Sequence, residues 1–145
     1  MEDSKKTFRN IRGAKANRPP IMVTLGMKVD RLGGGEAKLS MEVSKKFHNP
    51  MGTLHGGIMT DLADACMGLA TITTLDDGET FTTLELKMNF LRPVYQGKIN
   101  CEAKVLHRGR TIALAEAAVK NVAGKEVARG VATQMILRAA NRRRG

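Results

Sequence analysis

The feature that most constrains this chain is a long apolar stretch, residues 58–75, which follows a loop at residues 48–57. The loop contains Asn, Pro and Gly residues, which suit turns and unusual backbone angles. Within the stretch, apolar residues recur at steps of three and four, the period of a helix with one buried face, at Ile58, Leu62, Ala65, Leu69 and Ile72. Further apolar residues widen this face, so we expect a helix that other structure wraps on most sides. Gly68 weakens the helix by roughly 1 kcal/mol relative to Ala, and its missing side chain would allow close packing.

Two carboxylates, Asp61 and Asp64, interrupt the apolar stretch. Asp61 is expected in the first turn of the helix, where free amides and the helix dipole favour a negative charge. Asp64 is flanked by Ala63 and Ala65 beyond that turn, where an unpaired buried carboxylate would be costly. Two interpretations of Asp64 stay open: a structural partner compensates its charge, or it is a catalytic carboxylate.

The two glycines that end the loop, Gly56 and Gly57, add a second chemical feature. Backbone N–H groups at a helix N-terminus are unpaired and can hold an anion or a developing oxyanion. Gly56 and Asp64 are eight residues apart, which is roughly 12 Å along one helix, so they cannot both touch one reacting atom. If both are catalytic, each site takes the amide from one subunit and the carboxylate from another, which predicts a homodimer.

The formal net charge of +10 is concentrated at the two ends of the chain. Residues 1–18 hold six Lys or Arg and two acidic residues, a balance of +4, and residues 138–145 hold four Arg and no acid, a further +4; only +2 is left for residues 19–137. Basic tails add non-specific attraction to polyanions. One Tyr and four Phe supply little surface on which bases could stack. Specific nucleic-acid binding is therefore not expected.

A single domain over residues 20–138 is expected, because 145 residues suffice for one sizeable core. Basic segments at 1–19 and 139–145 flank it. The sequence has neither a membrane-spanning apolar stretch nor the hydrophobic region of a secretory signal, so we expect a cytoplasmic protein. Cys66 and Cys101 lie in apolar segments without metal-like spacing and are expected to be reduced core residues. Neither a metal nor a cofactor is expected.

Strands are predicted for most of the remaining chain, with a short helix around residues 4–11. The predicted strands are residues 21–29, 36–43, 80–91, 98–106, 110–120 and 126–138. Alternation in residues 80–91 places Thr83 and Glu85 on the polar face of their strand. Turns are predicted at residues 107–110 and 121–125. One long apolar helix against a single antiparallel sheet is an α+β architecture.

Four motifs together resemble one branch of a known family. Asn-Pro-Met-Gly-Thr-Leu-His-Gly-Gly at 49–57 and Leu-Ala-Asp at 62–64 resemble the acyl-CoA thioesterases related to phenylacetyl-CoA thioesterases. Phe-Leu-Arg-Pro at 90–93 and His-Arg-Gly-Arg at 107–110 match that branch at the expected places. The resemblance covers about residues 20–137 and implies the hotdog fold, a curved antiparallel sheet wrapped around one central helix. It also implies sites shared within a homodimer, with dimers pairing into a homotetramer.

The resemblance implies roles for individual residues. Asp64 matches the catalytic carboxylate, acting as a general base on water or as a nucleophile. Gly56 matches the residue whose backbone N–H polarises the thioester carbonyl, and Asn49 matches a side chain that positions the carbonyl or the water. His55 and Thr83 match further catalytic positions. A structural role for His55 in the loop, and for Thr83 as an ordinary β-branched strand residue, stay open.

Substrate contacts are expected in the two later motifs. Arg108 and Arg110 flank Gly109 in a turn, where they could hold the phosphates of CoA. Arg92 and His107 are further candidates, and solvated turn charges are an equal interpretation of each. The remaining residues assigned to substrate binding are Gly57, Glu85 and Phe90.

The activity implied is hydrolysis of an aryl- or medium-chain acyl-CoA to the free acid and CoA. A thioester is already activated, so a carboxylate, a held water and an oxyanion donor suffice. Met59, Met67 and Met88 suggest an adaptable apolar pocket, which leaves the acyl group open. The alternative is a non-catalytic hotdog protein that binds or senses acyl-CoA, although such a protein has no need for Asp64. A hydratase or dehydratase would require a differently placed His and acid, which the sequence lacks.

Overall fold

A computed structural model of the chain describes residues 18–138. The predicted helix around residues 4–11 and the two basic tails therefore lie largely outside the described residues. The elements are α1 (Pro20–Leu25), β1 (Lys28–Gly33), β2 (Glu36–Val43), a 3-10 turn (Lys45–Phe47), α2 (Gly56–Ile72), β3 (Glu79–Phe90), β4 (Gly97–Arg108), β5 (Ile112–Lys120) and β6 (Glu126–Arg138).

One antiparallel sheet contains all six described strands, in the order β1-β2-β4-β5-β6-β3. Helix α2 lies against this curved sheet and contacts every strand of it. Its buried residues include Leu62, Ala63, Cys66 and Met67, each fully enclosed. The α+β hotdog architecture expected from the sequence is thereby confirmed. Among residues 18–138, no helix has both the length and the hydropathy needed to span a membrane.

The two cysteines confirm their predicted place in the core. Cys66 on α2 and Cys101 on β4 are both buried, and both are free thiols. The Cys66 thiol donates to the carbonyl oxygens of Ala37 and Cys101. A side-chain hydrogen bond with the Cys66 thiol, followed by burial, raises the pKa of the Cys101 thiol well above its usual range, so the group stays protonated.

The first predicted strand is wrong, because residues 20–25 form a helix. Pro20 occupies the first helical position, where its fixed φ favours a helix and its missing N–H costs nothing. Gly26 ends the helix in the left-handed conformation, with φ of 69°. Met22 and Leu25, three residues apart, are buried against the core, and this burial overrides the strand preference of the Ile, Val and Thr residues next to them.

The predicted faces of the strand at residues 80–91 are also wrong in its first half. A β-bulge at Leu84 shifts the pairing with β6 between Thr83 and Glu85. Before the bulge Phe81 lies against Gly68 of α2 and Thr83 bonds to Asp64 of α2, whereas Leu84 is 54% exposed. Because one inserted residue reverses the alternation, Thr83 lies on the inner face of the sheet and not on its polar outer face.

Two smaller expectations need correction. The sequence predicts Asp61 in the first turn of its helix. Helix α2 begins at Gly56, so Asp61 is its sixth residue and lies beyond that turn. Asp61 is exposed, and this explains why its charge is tolerated. The predicted turn at residues 107–110 is shorter, since His107 and Arg108 belong to β4 and the turn begins at Gly109.

Candidate active site

The loop before α2 is held together by the side chain of Asn49. Its Oδ1 accepts hydrogen bonds from the backbone N–H groups of Met51 (3.0 Å) and Thr53 (3.2 Å), and its Nδ2 donates to Thr53 Oγ1 (2.8 Å). Asn49 also lines a surface cavity next to Gly56. The side chain therefore shapes the loop and reaches the cavity that the loop encloses.

The start of α2 leaves one backbone amide available. His55 is the N-cap, and its Nδ1 accepts a hydrogen bond from the Gly57 N–H at 2.9 Å. The Gly57 amide is thus occupied within the loop, and the Gly56 N–H has no acceptor among residues 18–138. The ring of Phe90 lies over Gly56, so that a Cβ at this position would be 3.0 Å from its Cζ atom. A side chain at this position would require the Phe90 ring to move by a few tenths of an ångström.

Asp64 lies on α2 opposite the first half of β3. It is half-buried, and Thr83 Oγ1 donates a hydrogen bond to its Oδ1 at 3.4 Å. Burial raises the pKa of the Asp64 carboxyl above its ordinary value. The hydrogen bond from Thr83 acts in the opposite direction, and the negative charge of Asp61 raises the pKa further. The result is a carboxylate of increased basicity that Thr83 orients from the facing strand.

Gly56 and Asp64 of one chain line two separate cavities. The first, of about 340 Å³, has Asn49, Gly56, Met59, Phe90 and Arg92 among its lining residues. The second, of about 290 Å³, has Asp64 and Thr83 at one side and apolar residues of α1, α2 and β3 elsewhere. We name them the Gly56 cavity and the Asp64 cavity. Met59 lines the first of them, whereas Met67, also suggested as a pocket residue, is fully buried in the core.

Arg108 has a structural partner that the sequence did not reveal. Its guanidinium forms an ion pair with Glu79 and donates to the carbonyl oxygen of Gly109. Glu79 is only 5% exposed and also pairs with Arg138 at 2.6 Å. Glu79 lies 29 residues from Arg108 in the sequence, so no local pattern could have identified this contact.

The other predicted substrate contacts lie in two groups. Phe90 and Arg92 border the Gly56 cavity, and Arg92 Nη1 donates to the carbonyl oxygen of Glu126 at 2.5 Å. The second group is near Glu79, at the other end of β3. Its members are His107, Arg108, Gly109 and Arg110, of which His107 and Arg110 are exposed. Glu85 is exposed after the bulge and lines neither cavity.

Metal ligation is not indicated by the side-chain arrangement. Within the described range 18–138, no group of three or more His, Cys, Asp or Glu side chains is placed to hold a metal ion. The chemistry of the candidate site consists of one carboxylate, one hydroxyl, and one available backbone amide. These are the groups needed to activate a water and to stabilise an oxyanion.

Comparisons with known proteins agree with this set of groups. The sequence model of the Thioesterase superfamily matches residues 51–128, more than half of the chain. A protein of Saccharolobus solfataricus, provisionally named an esterase, is 37% identical over 138 residues, covering 95% of this chain and 96% of the relative. The 1,4-dihydroxy-2-naphthoyl-CoA hydrolase of Listeria monocytogenes is 28% identical over 88 residues, covering 61% of this chain and 72% of that enzyme.

Solved structures include a similar protein of Ralstonia eutropha, described provisionally as a thioesterase related to phenylacetic acid degradation. It is 30% identical, with a TM-score of 0.81, and the match covers 89% of this chain and 98% of that one. The fold, the matched residues and these relatives lead to one conclusion: the chain belongs to the thioesterase superfamily and is a thioester hydrolase.

Proposed function

We propose that the protein hydrolyses the thioester of an aryl- or medium-chain acyl-CoA at a site shared between two subunits. Asp64 of one subunit acts as the general base or nucleophile, and the Gly56 N–H of the other is the oxyanion donor. The observation that carries the proposal is the separation of these two groups into different cavities of one chain. The CoA ester named for the Listeria relative agrees with this substrate class.

The reaction requires few groups. With Asp64 as base, the carboxylate removes a proton from water while the oxygen of that water adds to the thioester carbonyl. The resulting oxyanion accepts a hydrogen bond from the Gly56 N–H. Collapse of the adduct breaks the C–S bond, and the departing sulfur takes up the proton, which yields the acid and the CoA thiol. With Asp64 as nucleophile, its oxygen adds to the carbonyl carbon, and collapse of the adduct breaks the C–S bond and expels CoA as a thiolate, which takes a proton from solvent. Water then hydrolyses the resulting mixed anhydride, which releases the acid and returns the Asp64 carboxylate.

The position of β3 in the sheet indicates how two copies can meet. Among the strands of residues 18–138, β3 lies at an edge and has twelve residues, and such an edge can pair with a second copy of itself. In an antiparallel pairing centred between Leu86 and Lys87, Thr83 of one copy lies opposite Phe90 of the other. Because Phe90 covers Gly56 and Thr83 contacts Asp64, this pairing brings a Gly56 cavity next to an Asp64 cavity.

The same pairing brings together the two groups of predicted substrate contacts. Arg92 of one copy comes to the end of β3 where Arg108 and Arg110 of the other copy lie. A homodimer is therefore the minimum assembly that completes the site. Pairing of dimers into a homotetramer, and a cytoplasmic location, remain expectations from the sequence.

Loss of the carboxylate is the first test. Release of free thiol should be followed with a chromogenic reagent across a panel of acyl-CoAs, for the wild type, Asp64→Asn and Asp61→Asn. Asp64→Asn should lower kcat by about 10²- to 10⁴-fold, the range of a general base. The protein should stay folded, since the change removes a charge that burial disfavours. Asp61→Asn is the matched control, compared at a pH well above the acid limb, since Asp61 raises the pKa of Asp64. Loss of this exposed carboxylate of the same helix should leave turnover much closer to the wild type than loss of Asp64 does. Wild-type turnover by Asp64→Asn would contradict the proposal.

The oxyanion donor can be removed with little change to the backbone. Gly56 is the first residue of α2, a position that accepts proline, so Gly56→Pro deletes the N–H and keeps the helix start. Gly56→Ala is the control, because it adds the same Cβ next to Phe90 but keeps the N–H. We expect Gly56→Pro to lose about 10²- to 10³-fold more in kcat than Gly56→Ala. Equal losses would assign the effect to contact with Phe90 rather than to the amide.

Mixing two inactive variants tests the shared site. Random exchange between Asp64→Asn and Gly56→Pro produces hybrid dimers that each hold one intact site and one doubly defective site. About a quarter of wild-type activity should return in an equal mixture. Asp64→Asn mixed with itself is the control and should regain none. Absence of recovery, with subunit exchange proven by mass spectrometry, would contradict the shared site.

A further inference from the structure

The Asp64 cavity extends well beyond the Asp64 side chain and is lined mostly by apolar residues. Its volume is about 290 Å³, at the lower end of the range for small-molecule pockets. It lies between α1, α2 and β3, and from Asp64 it extends along α2 to Ile72, roughly 12 Å or two helical turns. Away from Asp61, Asp64 and Thr83 its lining is apolar. A space of this size and polarity suits the acyl part of a thioester, without the nucleotide.

Gly68 and Phe81 narrow this cavity from opposite sides. Gly68 is four residues after Asp64, so it lies on the same face of α2, one turn or roughly 6 Å further along. A Cβ at Gly68 would be 3.0 Å from the Cζ atom of Phe81, tighter than ordinary contacts. The ring therefore lies against bare helix backbone. On its other side Phe81 packs with the small buried cluster of Leu75, Ala113 and Ile136, which limits where the ring can move.

Helix α1 forms the outer wall of the cavity. Met22 and Leu25 fix α1 to the core, with 2% and 6% of their surfaces exposed. Ile21 lines the cavity and remains 49% exposed, whereas Val23 on the same short helix is 62% exposed and does not line it. Because Ile21 is apolar, half-exposed and part of the lining that also contains Asp64, it is available to contact an apolar ligand in this cavity.

We infer that the Asp64 cavity holds the acyl group, and that the contact between Gly68 and Phe81 sets the acyl size accepted. The inference rests on the proposed function, since it places the thioester carbonyl at Asp64. The acyl group then extends along α2 from Asp64 and meets the ring of Phe81 about one turn away. Ile21 covers it from the outer side. Gly68 and Phe81 are thus specificity-determining residues, and the accepted class is a compact apolar acyl group.

The test is a comparison of acyl preference, measured as kcat/KM ratios for butanoyl-, hexanoyl-, decanoyl- and phenylacetyl-CoA. Gly68→Ala adds a methyl group that narrows the cavity, so the ratio of decanoyl- to butanoyl-CoA should fall about tenfold, the effect of small volume changes in an apolar pocket. Phe81→Leu should move the same ratio in the opposite direction. The two substitutions alter opposite walls, so a general loss of stability cannot produce opposite shifts.

A matched pair on α1 keeps the test valid if either core variant folds poorly. Ile21→Ala removes a cavity contact and should reduce kcat/KM for decanoyl-CoA about tenfold. Val23→Ala, an equally conservative change at an exposed neighbour, should have no effect on the preference ratios. If all three variants keep the preference ratios of the wild type, or if Gly68→Ala and Phe81→Leu shift the decanoyl-to-butanoyl ratio in the same direction, with activity still dependent on Asp64, the inference is overturned and the proposed function stays intact. A wild type that hydrolyses none of the four esters would overturn both.

Discussion

Replacing Glu79 with glutamine removes the centre of a buried charge cluster and keeps the shape of the side chain. The Glu79 carboxylate accepts a hydrogen bond from the Asp76 N–H at 2.9 Å and pairs with Arg108 and with Arg138. These partners hold the pKa of Glu79 below its usual range: the Asp76 amide contributes most, and the two guanidinium groups add to it against the effect of burial. Glutamine can accept the amide hydrogen bond but carries no charge.

The size of the effect follows from the exposure of the two arginines. Removing one partner of a fully buried ion pair costs about 3–5 kcal/mol, because a charge is left uncompensated. Here the side chains of Arg108 and Arg138 are 21% and 47% exposed, and water compensates them in part. We therefore expect a loss of roughly 2–3 kcal/mol, against a typical total of about 5–15 kcal/mol. For a chain of this length that corresponds to a fall in Tm of about 6–10 °C.

The dependence on pH has a definite sign. The pKa of Glu79 is lower in the folded state than the ordinary value of 4.5. Its ionised form therefore stabilises the fold fully above that ordinary value, and this stabilisation is lost as the pH falls through the folded-state pKa. Glutamine does not titrate. The difference in Tm between wild type and Glu79→Gln should be largest near neutral pH and should shrink below about pH 4.

Thermal unfolding followed by circular dichroism, between neutral pH and about pH 3.5, measures both effects. Glu36→Gln is the matched control: Glu36 pairs with Arg31 at 3.3 Å, but the two side chains are 43% and 65% exposed. Its loss should change stability by less than about 0.5 kcal/mol. If Glu79→Gln behaves like Glu36→Gln at neutral pH, or if its Tm deficit is constant with pH, the reasoning about the cluster is refuted.

Two further predictions concern the candidate site. Thr83→Val removes the hydrogen bond that lowers the pKa of Asp64, so the acid limb of the pH profile of kcat/KM should move to higher pH. Asp61→Asn removes a nearby negative charge that raises this pKa, so the acid limb should move to lower pH. Shifts of the same sign would contradict Asp64 as the titrating group. Arg110→Ala should raise KM for acyl-CoA more than for a short thioester without the nucleotide, at unchanged Tm. Arg108→Ala should lower Tm, because it leaves Glu79 with one fewer counter-charge. For either arginine, an equal effect on the KM of acyl-CoA and on the KM of the short thioester would exclude a phosphate contact.

Several features that depend on neighbouring residues were predicted correctly from the sequence. The spacing of apolar residues identified α2. The alternation of side chains predicted β2, and an apolar-rich stretch predicted β6, both with the bounds that the structure has. Asp64 stood out because a carboxylate between alanines in an apolar helix is locally unfavourable. The missing side chain of Gly68 predicted a close approach, and the ring of Phe81 confirms it. The period of the apolar residues shows which face of a helix or strand is buried, and this period can be read within a single segment of the chain.

Features that depend on distant residues were decided only by the tertiary structure. The bulge at Leu84 arises from pairing with β6, and it turned Thr83 from the predicted outer face to the inner face, within reach of Asp64. Residues 20–25 became a helix because their burial against the core outweighed strand propensity. Arg108 has a buried counter-charge in Glu79, which no local pattern indicates.

By itself, then, the sequence determined the fold class, the central helix and the position of Asp64, a carboxylate in an otherwise apolar part of that helix. The tertiary structure decided what faces that carboxylate, and it placed Gly56 and Asp64 in different cavities. The physical reason is that periodicity and local cost are properties of one segment, whereas strand register, bulges and ion pairs depend on which segments meet when the chain folds.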